Sequence, residues 1–398
     1  MRAAHSPMTL HTPSYPDGAK MKVGIVSDTS FRIPGGVQEY VRGLHDFLRE
    51  RGVDVQIITS GERGHEDGGR NFASLGKTVD LSLLNWRGAA SSMPLNWAPT
   101  GRIRSFLREE RFDVLHYAAP MALLGSRILR FSRKASPGAA NVIAFLIYNE
   151  TTPPAVRLLS PILKRLNCSI HGRVAISEPA AEYAQQFYPG TYAIIPAGID
   201  VRRFNPSVGR IDAFVDGKVN ILFAGRLDRR KNVMDMLEVY ARLSADCPDT
   251  RLIIVGDGPE GQQAQEFVRD RHLQNVAMVG RVGAEEMPKY YNTCDIFCAP
   301  ALGQESFGVV LVEAMACGKP VAGYRNRGYE TVVAGSPLNE FLVEPGNVSA
   351  LHQALKSLIV DGERRMRLGA ESLRLVRERY AWEVVGERIL ECYQSCRR

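Results

Sequence analysis

Apolar and polar positions along this chain follow two alternating periods. Short apolar runs at 21–27, 53–59, 79–84, 113–117, 141–147, 172–176 and 192–195 predict strands, with helical spacing between most of them. Residues 37–51 show the helical period: Val37, Tyr40, Val41, Leu44, Phe47 and Leu48 recur at i, i+3 and i+4 before Gly52 stops them. After 204–217, which reads as a linker, the alternation restarts at 219–225. It repeats through strands at 251–256, 275–279, 295–299, 320–323 and 341–343, and amphipathic helices fill the chain from 347 onward. Alternation of this kind predicts an α/β fold with parallel sheets. The expected organisation is a mobile tail over 1–20, one α/β domain over 21–203, a second over 204–380, and a closing helix over 381–398 that packs back on the first domain. Two such halves would leave a cleft between the carboxyl ends of their sheets, where open α/β sheets bind ligands.

Length and composition sharpen this picture. A chain of 398 residues is long for one core, which agrees with two domains. Hydrophobic content of 45% and charged content of 23% are ordinary for a soluble globular protein. No apolar run reaches the ~18 residues that span a bilayer. The first 20 residues lack a continuous apolar core, so no signal peptide is expected there, and Met21 stands as an alternative start. The seven cysteines show no disulfide-framework spacing, although Cys392 and Cys396 lie one helical turn apart. Reduced thiols in a cytoplasmic protein are the expectation. The net charge of +7 favours anionic partners without choosing among nucleotide, lipid and nucleic acid. A basic amphipathic segment at 100–111 carries Arg102, Arg104, Arg108 and Arg111 beside Ile103, Phe106 and Leu107, with Trp86 and Trp97 ahead of it. Those features match a peripheral contact with an anionic membrane, here its inner face, and match equally a solvated helix packed on the sheet. The stretch 61–69 is polar and glycine-rich, a surface loop.

The candidate chemistry centres on residues 304–316. If the segment is helical from 305, Glu305 and Glu313 differ by about 800° at ~100° per residue and share one face. Ser306 and the N–H groups of Phe307 and Gly308 would then form a helix start that favours an anion. Phosphate donors between two carboxylates suit a sugar joined to a nucleoside diphosphate, although two solvated glutamates on an amphipathic helix would share the spacing. Arg226, at a strand end, and Lys231, at the start of the next helix, would neutralise a diphosphate. Arg229 and Arg230 read as solvated charges on that loop. The Gly256-Asp257-Gly258-Pro259 turn would let a nucleotide approach the backbone or would simply be tight, and Arg281 would flank the base. Gly35 and Gly36 occupy the first strand-to-helix turn, but the sequence is not G-x-G-x-x-G, which speaks against a nicotinamide dinucleotide. No convincing Asp-x-Asp metal site is evident.

Taken together, Gly35-Gly36, Gly225-Arg226 with Lys231, the 256–259 turn, and Glu305-Ser306-Phe307-Gly308 through Glu313-Ala314 resemble the retaining glycosyltransferases of family 4. The resemblance covers nearly everything after Lys20. Within the family, residues 34–38, 112–116 and 298–308 are most similar to phosphatidylinositol mannosyltransferases. It implies a GT-B fold of two Rossmann-like domains facing each other across a cleft, and metal-independent transfer of a mannose- or glucose-type hexose. The donor would be a GDP- or UDP-linked sugar, and the acceptor a hydroxyl on a lipid or glycan; no nucleic acid partner is implied. By the same resemblance Arg226 and Lys231 hold the diphosphate, Glu305 a sugar hydroxyl and Glu313 the ribose, while Gly36 approaches the phosphate. His116 matches a strand-end histidine and reads as structural. Related enzymes often carry a histidine after the strand at 141–147. Here the run 145–152 has none, which leaves Tyr148 or Asn149 to bond the sugar. Thr29 and Arg32 would face the acceptor. A nucleotide-sugar epimerase and a non-catalytic sugar-nucleotide-binding subunit are the rival readings.

Overall fold

The computed structural model describes residues 20–29, 31, 35–59, 70–79, 95–118, 123–152 and 154–397. The expected tail up to residue 19, the loop 61–69, Arg32, Trp86 and all but Val79 of the strand expected at 79–84 lie outside the described residues.

In chain order the first half comprises β1 (Lys22–Ser27), α1 (Gly36–Glu50), β2 (Asp54–Thr59), β3 (Phe72–Ser74), β4 (Lys77–Val79), β5 (Leu95–Trp97), α2 (Thr100–Glu110) and β6 (Val114–Ala118). It continues with α3 (Leu123–Ala135), β7 (Ala140–Phe145), α4 (Pro154–Arg165), β8 (Gly172–Ala175), α5 (Glu178–Gln185) and β9 (Ala193–Ile194). The second half comprises β10 (Val219–Ala224), α6 (Val233–Asp246), β11 (Thr250–Val255), α7 (Gly261–Asp270), β12 (Val276–Gly280), α8 (Met287–Thr293), β13 (Ile296–Ala299) and α9 (Val309–Ala316). After these come β14 (Val321–Tyr324), α10 (Arg327–Val333), β15 (Leu342–Val343), α11 (Val348–Val360), α12 (Gly362–Arg379) and α13 (Trp382–Cys396).

Seven strands form one sheet in the order β3-β2-β1-β6-β7-β8-β9, and six form another in the order β12-β11-β10-β13-β14-β15. Pairing is parallel, with Val23 opposite both Val55 and Val114, and Ile221 opposite both Leu252 and Ile296. Strand order reverses direction beside β1 in the first sheet and beside β10 in the second, the doubly wound arrangement of Rossmann-like folds. β4 and β5 make a separate antiparallel pair.

The chain falls into two compact units. The first runs to Ala144 and adds Leu166–Arg173 and the chain from Leu390; the second comprises Phe145–Arg165 and Val174–Ile389. In the first unit the central strand β6 is buried along its whole length, as strands covered on both faces are. That burial strips water from His116, which sits between two phenols: Tyr40 Oη lies 3.3 Å from Nε2 and Tyr393 Oη 2.9 Å from Nδ1. The structural reading of His116 holds, and burial depresses its pKa to about 3. In the second unit α9 is apolar almost all round and buries Leu311, Val312, Ala314 and Met315. Truncating one such leucine to alanine costs about 2–5 kcal/mol.

Candidate active site

In the second sheet β10 and β13 are neighbours whose chains then depart to opposite sides, a topological switch point. Open α/β sheets hold ligands in the crevice formed there, outside the strand carboxyl ends. Two loops meet at that point, 225–232 after β10 and 300–308 after β13, and Leu302 N donates to Arg230 O at 3.1 Å. A hydrogen bond from Leu227 N to Asp257 O at 3.0 Å ties the first loop to the turn after β11.

Glu305 is the hub of this corner. It is only 9% exposed, and its Oε1 accepts from both Lys231 Nζ, at 2.8 Å, and Arg230 Nη1. A carboxylate buried to this degree needs a cation, and here it has two. Both cations take the same oxygen. Arg226 stands out into solvent, its side chain 55% exposed, with Nε 3.6 Å from Asp228 Oδ2. Counting these five side chains, the corner carries one positive charge in excess, as a diphosphate site requires.

The expectation for Arg230 is corrected: it is not a solvated charge but a partner of Glu305. Arg229 is exposed, as expected. Lys231 also precedes the helix rather than starting it. α6 begins at Val233 and is capped by Asn232, whose side chain accepts from Asp235 N at 3.4 Å and whose backbone is left-handed at φ 59°. Three consecutive cations on a tight loop give no periodicity to say which turns inward; the reversal at Asn232 decides it.

The helix geometry expected for 305–316 is also corrected. α9 starts at Val309, with Gly308 as its N-cap at φ 137° and no side-chain cap. Glu305 therefore lies in the loop ahead of the helix, and the shared-face argument with Glu313 fails. Gly308 is not in the helical conformation, and a Cβ there would meet the Tyr329 ring at 2.7 Å. Leu311 N already donates to Gly308 O at 2.9 Å, so the N–H groups that this helix start offers an anion are those of Val309 and Val310. Glu313 Oε2 accepts from Tyr291 Oη at 2.7 Å. Burial first, and then the Glu313 charge, holds that phenol well above its ordinary pKa. Tyr329 is fully buried beneath the loop and its hydroxyl has no hydrogen-bond partner among the described residues. Burial, followed by the charge of Glu305, raises its pKa.

Ser306 and Phe307 lock the loop. Ser306 Oγ accepts from Tyr148 N at 2.8 Å, and Ser306 O accepts from Ser177 Oγ at 2.5 Å. The Phe307 ring is buried 5.6 Å from that of Tyr380. Tyr148 lies under the Arg327 guanidinium at 5.6 Å, and Asn149 Nδ2 donates to Tyr183 Oη at 3.3 Å. The structure therefore brings Tyr148 to the Ser306 loop. Glu150, which sequence reasoning passed over, is there too, accepting from Gln304 N at 3.3 Å.

The turn after β11 is tight for a reason of its own. A Cβ on Gly256 would strike Gly225 O at 1.8 Å, and one on Gly258 would strike Leu227 O at 2.4 Å. At both positions neighbouring backbone takes the space a side chain would need. Arg281, just past β12, is exposed. In the first unit Gly35 caps α1, Gly36 opens it, both are exposed, and Thr29 Oγ1 lies 2.8 Å from Ser27 Oγ.

Comparison with known proteins agrees with this geometry. Residues 34–203 match Glycosyltransferase Family 4, and residues 210–374 match the glycosyl transferases group 1. A phosphatidyl-myo-inositol mannosyltransferase of Mycolicibacterium smegmatis is 29% identical over 379 residues, covering 94% of each chain. A Corynebacterium glutamicum protein named as a GDP-mannose-dependent monoacylated alpha-(1-6)-phosphatidylinositol monomannoside mannosyltransferase is 27% identical, covering 91% of this chain and 94% of its own. Among solved structures, the Anabaena protein HepE in complex with UDP superposes with a TM-score of 0.73 at 18% identity, covering 95% of this chain and all of the other. A glycosyltransferase from Rickettsia africae superposes at 0.72 with 15% identity, covering 95% and 98%. The fold is GT-B, built from two Rossmann-like sheets, and the chain belongs to the glycosyltransferases that join a family 4 domain to a group 1 domain.

Proposed function

We propose that this glycosyltransferase moves mannose from GDP-mannose to a hydroxyl of a phosphatidylinositol-type lipid, with retention at the anomeric carbon. The observation that carries the donor half is the convergence of Lys231 and Arg230 on Glu305 at the switch point, beside the uncapped start of α9. The sugar and the acceptor rest on the relatives, which are named as mannosyltransferases of that lipid class.

In this reading the diphosphate lies against the first-turn N–H groups of α9, with Arg226 and Lys231 as counter-charges. Glu305 Oε2 takes a hydroxyl of the hexose, and Glu313 a hydroxyl of the ribose. As the bond from the anomeric carbon to the phosphate oxygen breaks, negative charge grows on the diphosphate. Preorganised cations and N–H dipoles stabilise that charge more in the transition state than before it. Retention then follows from front-face substitution. The acceptor oxygen approaches on the side the phosphate leaves, and the departing phosphate oxygen takes the acceptor proton. We infer that side-chain cations neutralise the leaving group and that no metal is required.

The test is mass spectrometry of phosphatidylinositol incubated with the protein and GDP-mannose. Gain of one hexose on the lipid is expected. Conversion of the nucleotide sugar to its isomer without acceptor would make the protein an epimerase, and binding without any product would make it a sugar-nucleotide-binding subunit.

A further inference from the structure

The first unit holds a cavity of about 700 Å³ at the end of the sheet opposite to the strand carboxyl ends. Lys22, the first residue of β1, Asp54, the first of β2, and Asp113, just before β6, all line it. β1 is six residues long, so roughly 20 Å of strand separates this end from the one that carries Thr29. The cavity is of the size that takes a small metabolite.

One side chain sets it apart from an ordinary basic surface. His45 lines the cavity although it is only 1% exposed. Its Nδ1 lies 3.0 Å from Asp46 Oδ1, which can only accept, so Nδ1 donates. Arg70 Nε, at 2.9 Å from the same Asp46 oxygen, holds that carboxylate and so fixes the ring. Yet among the described residues Nε2 of His45 has no hydrogen-bond partner. A buried ring nitrogen without a partner is unfavourable, and a ligand hydroxyl, which can donate or accept, would satisfy it.

Charge supplies the other half of the recognition. Lys20, Arg49 and Arg111 line the cavity, are exposed, and form no ion pair among the described residues. Lys22, by contrast, is engaged with Glu110 at 2.5 Å. Three uncommitted cations favour a phosphate, while His45 and the carboxylate of Asp54 favour hydroxyls; Asp113 is already held by Lys22 N at 2.7 Å and Arg397 Nη2 at 2.9 Å. We propose that this cavity binds a phosphorylated sugar or polyol, its phosphate among Lys20, Arg49 and Arg111 and a hydroxyl on His45 Nε2. This inference does not depend on the proposed transfer reaction.

Calorimetric titration of the full chain with glucose 6-phosphate tests it, with GDP and UDP both present so that the donor site is filled. Glucose and inorganic phosphate serve as part-ligands. Glucose 6-phosphate is expected to bind roughly tenfold or more tightly than either part. Arg49→Glu, and Arg111→Asn, which suits the left-handed backbone at φ 50°, should each weaken it by about tenfold while nucleotide binding is kept. His45→Gln should weaken glucose 6-phosphate but leave inorganic phosphate unchanged. No heat from glucose 6-phosphate at millimolar concentration would overturn the proposal. So would equal affinity for inorganic phosphate, which would mean a bare anion site, or binding that ignores both arginine variants.

Discussion

Lys231 Nζ lies 2.8 Å from Glu305 Oε1, a contact that joins the loop after β10 to the loop after β13. Both side chains are nearly enclosed, 14% and 10% exposed, so the pair is more than a surface contact. Lys231→Ala is expected to lower kcat by roughly 10²–10³, the usual effect of losing one preorganised charge contact in the transition state. Glu305→Gln should also lower kcat while GDP binds almost normally, because the sugar contact is lost but the phosphate donors remain. The double variant should lose less than the product of the two single effects, since the residues act as a unit. Full additivity would separate them.

Glu313 carries a different expectation. Glu313→Gln should raise the donor KM and weaken GDP with little change in kcat, because a ribose contact is nearly the same before and during reaction. Tyr291→Phe, which removes the 2.7 Å hydrogen bond to Glu313, should do the same more weakly. If Glu313→Gln left GDP affinity untouched and only lowered the melting temperature, Glu313 would be an anchor for Tyr291 and no ribose ligand.

His116 ties stability to pH. Its folded pKa of about 3 lies below the ordinary 6.5, so below pH 6.5 the unfolded chain binds a proton that the folded chain refuses. The stabilisation is complete above pH 6.5 and is lost as pH falls from there toward 3. In that window the His116 contribution should fall by about 1.4 kcal/mol per pH unit. Denaturant titrations of wild type and His116→Gln at pH 7, 5 and 4 isolate it by difference. The variant should be the less stable at pH 7, where Tyr40 and Tyr393 lose their partner, and the gap should narrow with acid. A gap independent of pH would show that His116 is charged in the fold.

The basic helix α2 meets only part of the requirement for a membrane contact. Ile103 and Leu107 are fully buried. Arg102 donates to Ser74 O at 2.9 Å, and Arg104 lies 4.8 Å from the Phe131 ring centroid. An apolar face already packed cannot insert, which leaves adsorption by charge through Arg108 and Arg111. Sedimentation with anionic vesicles should exceed that with neutral vesicles and vanish at high salt. Salt-insensitive binding to both would mean insertion by some other segment.

Most of the element order was legible because buried parallel strands write themselves as apolar runs of Val, Ile and Leu; the three-residue strands β3 and β5 are too short to leave such a run and were missed. The identity of the site's loops was legible for the same reason: Arg226 and Glu305 each follow such a run. What was not legible was direction. Nothing in Arg229-Arg230-Lys231 says that the second of the three turns to Glu305; the left-handed turn at Asn232 does so, and that is a tertiary choice. The start of α9 was misplaced because Glu305 to Phe307 have ordinary helical preferences, while Gly308 takes a φ of 137° that interrupts any helix through it. The roles of Gly256 and Gly258 were ambiguous because a glycine that admits a ligand and one that admits a neighbouring carbonyl read alike.

The central claim is retaining mannosyl transfer at the Lys231–Glu305 corner, and the product's stereochemistry tests it most directly. Nuclear magnetic resonance of the lipid product made from GDP-α-mannose carrying ¹³C at the anomeric position reports that configuration through its one-bond carbon–hydrogen coupling. An α-linked mannoside is expected from the first turnover, at a rate that Lys231→Ala suppresses. A β-linked product, or an α-linked product formed equally fast by Lys231→Ala, would rule out retaining transfer at this corner.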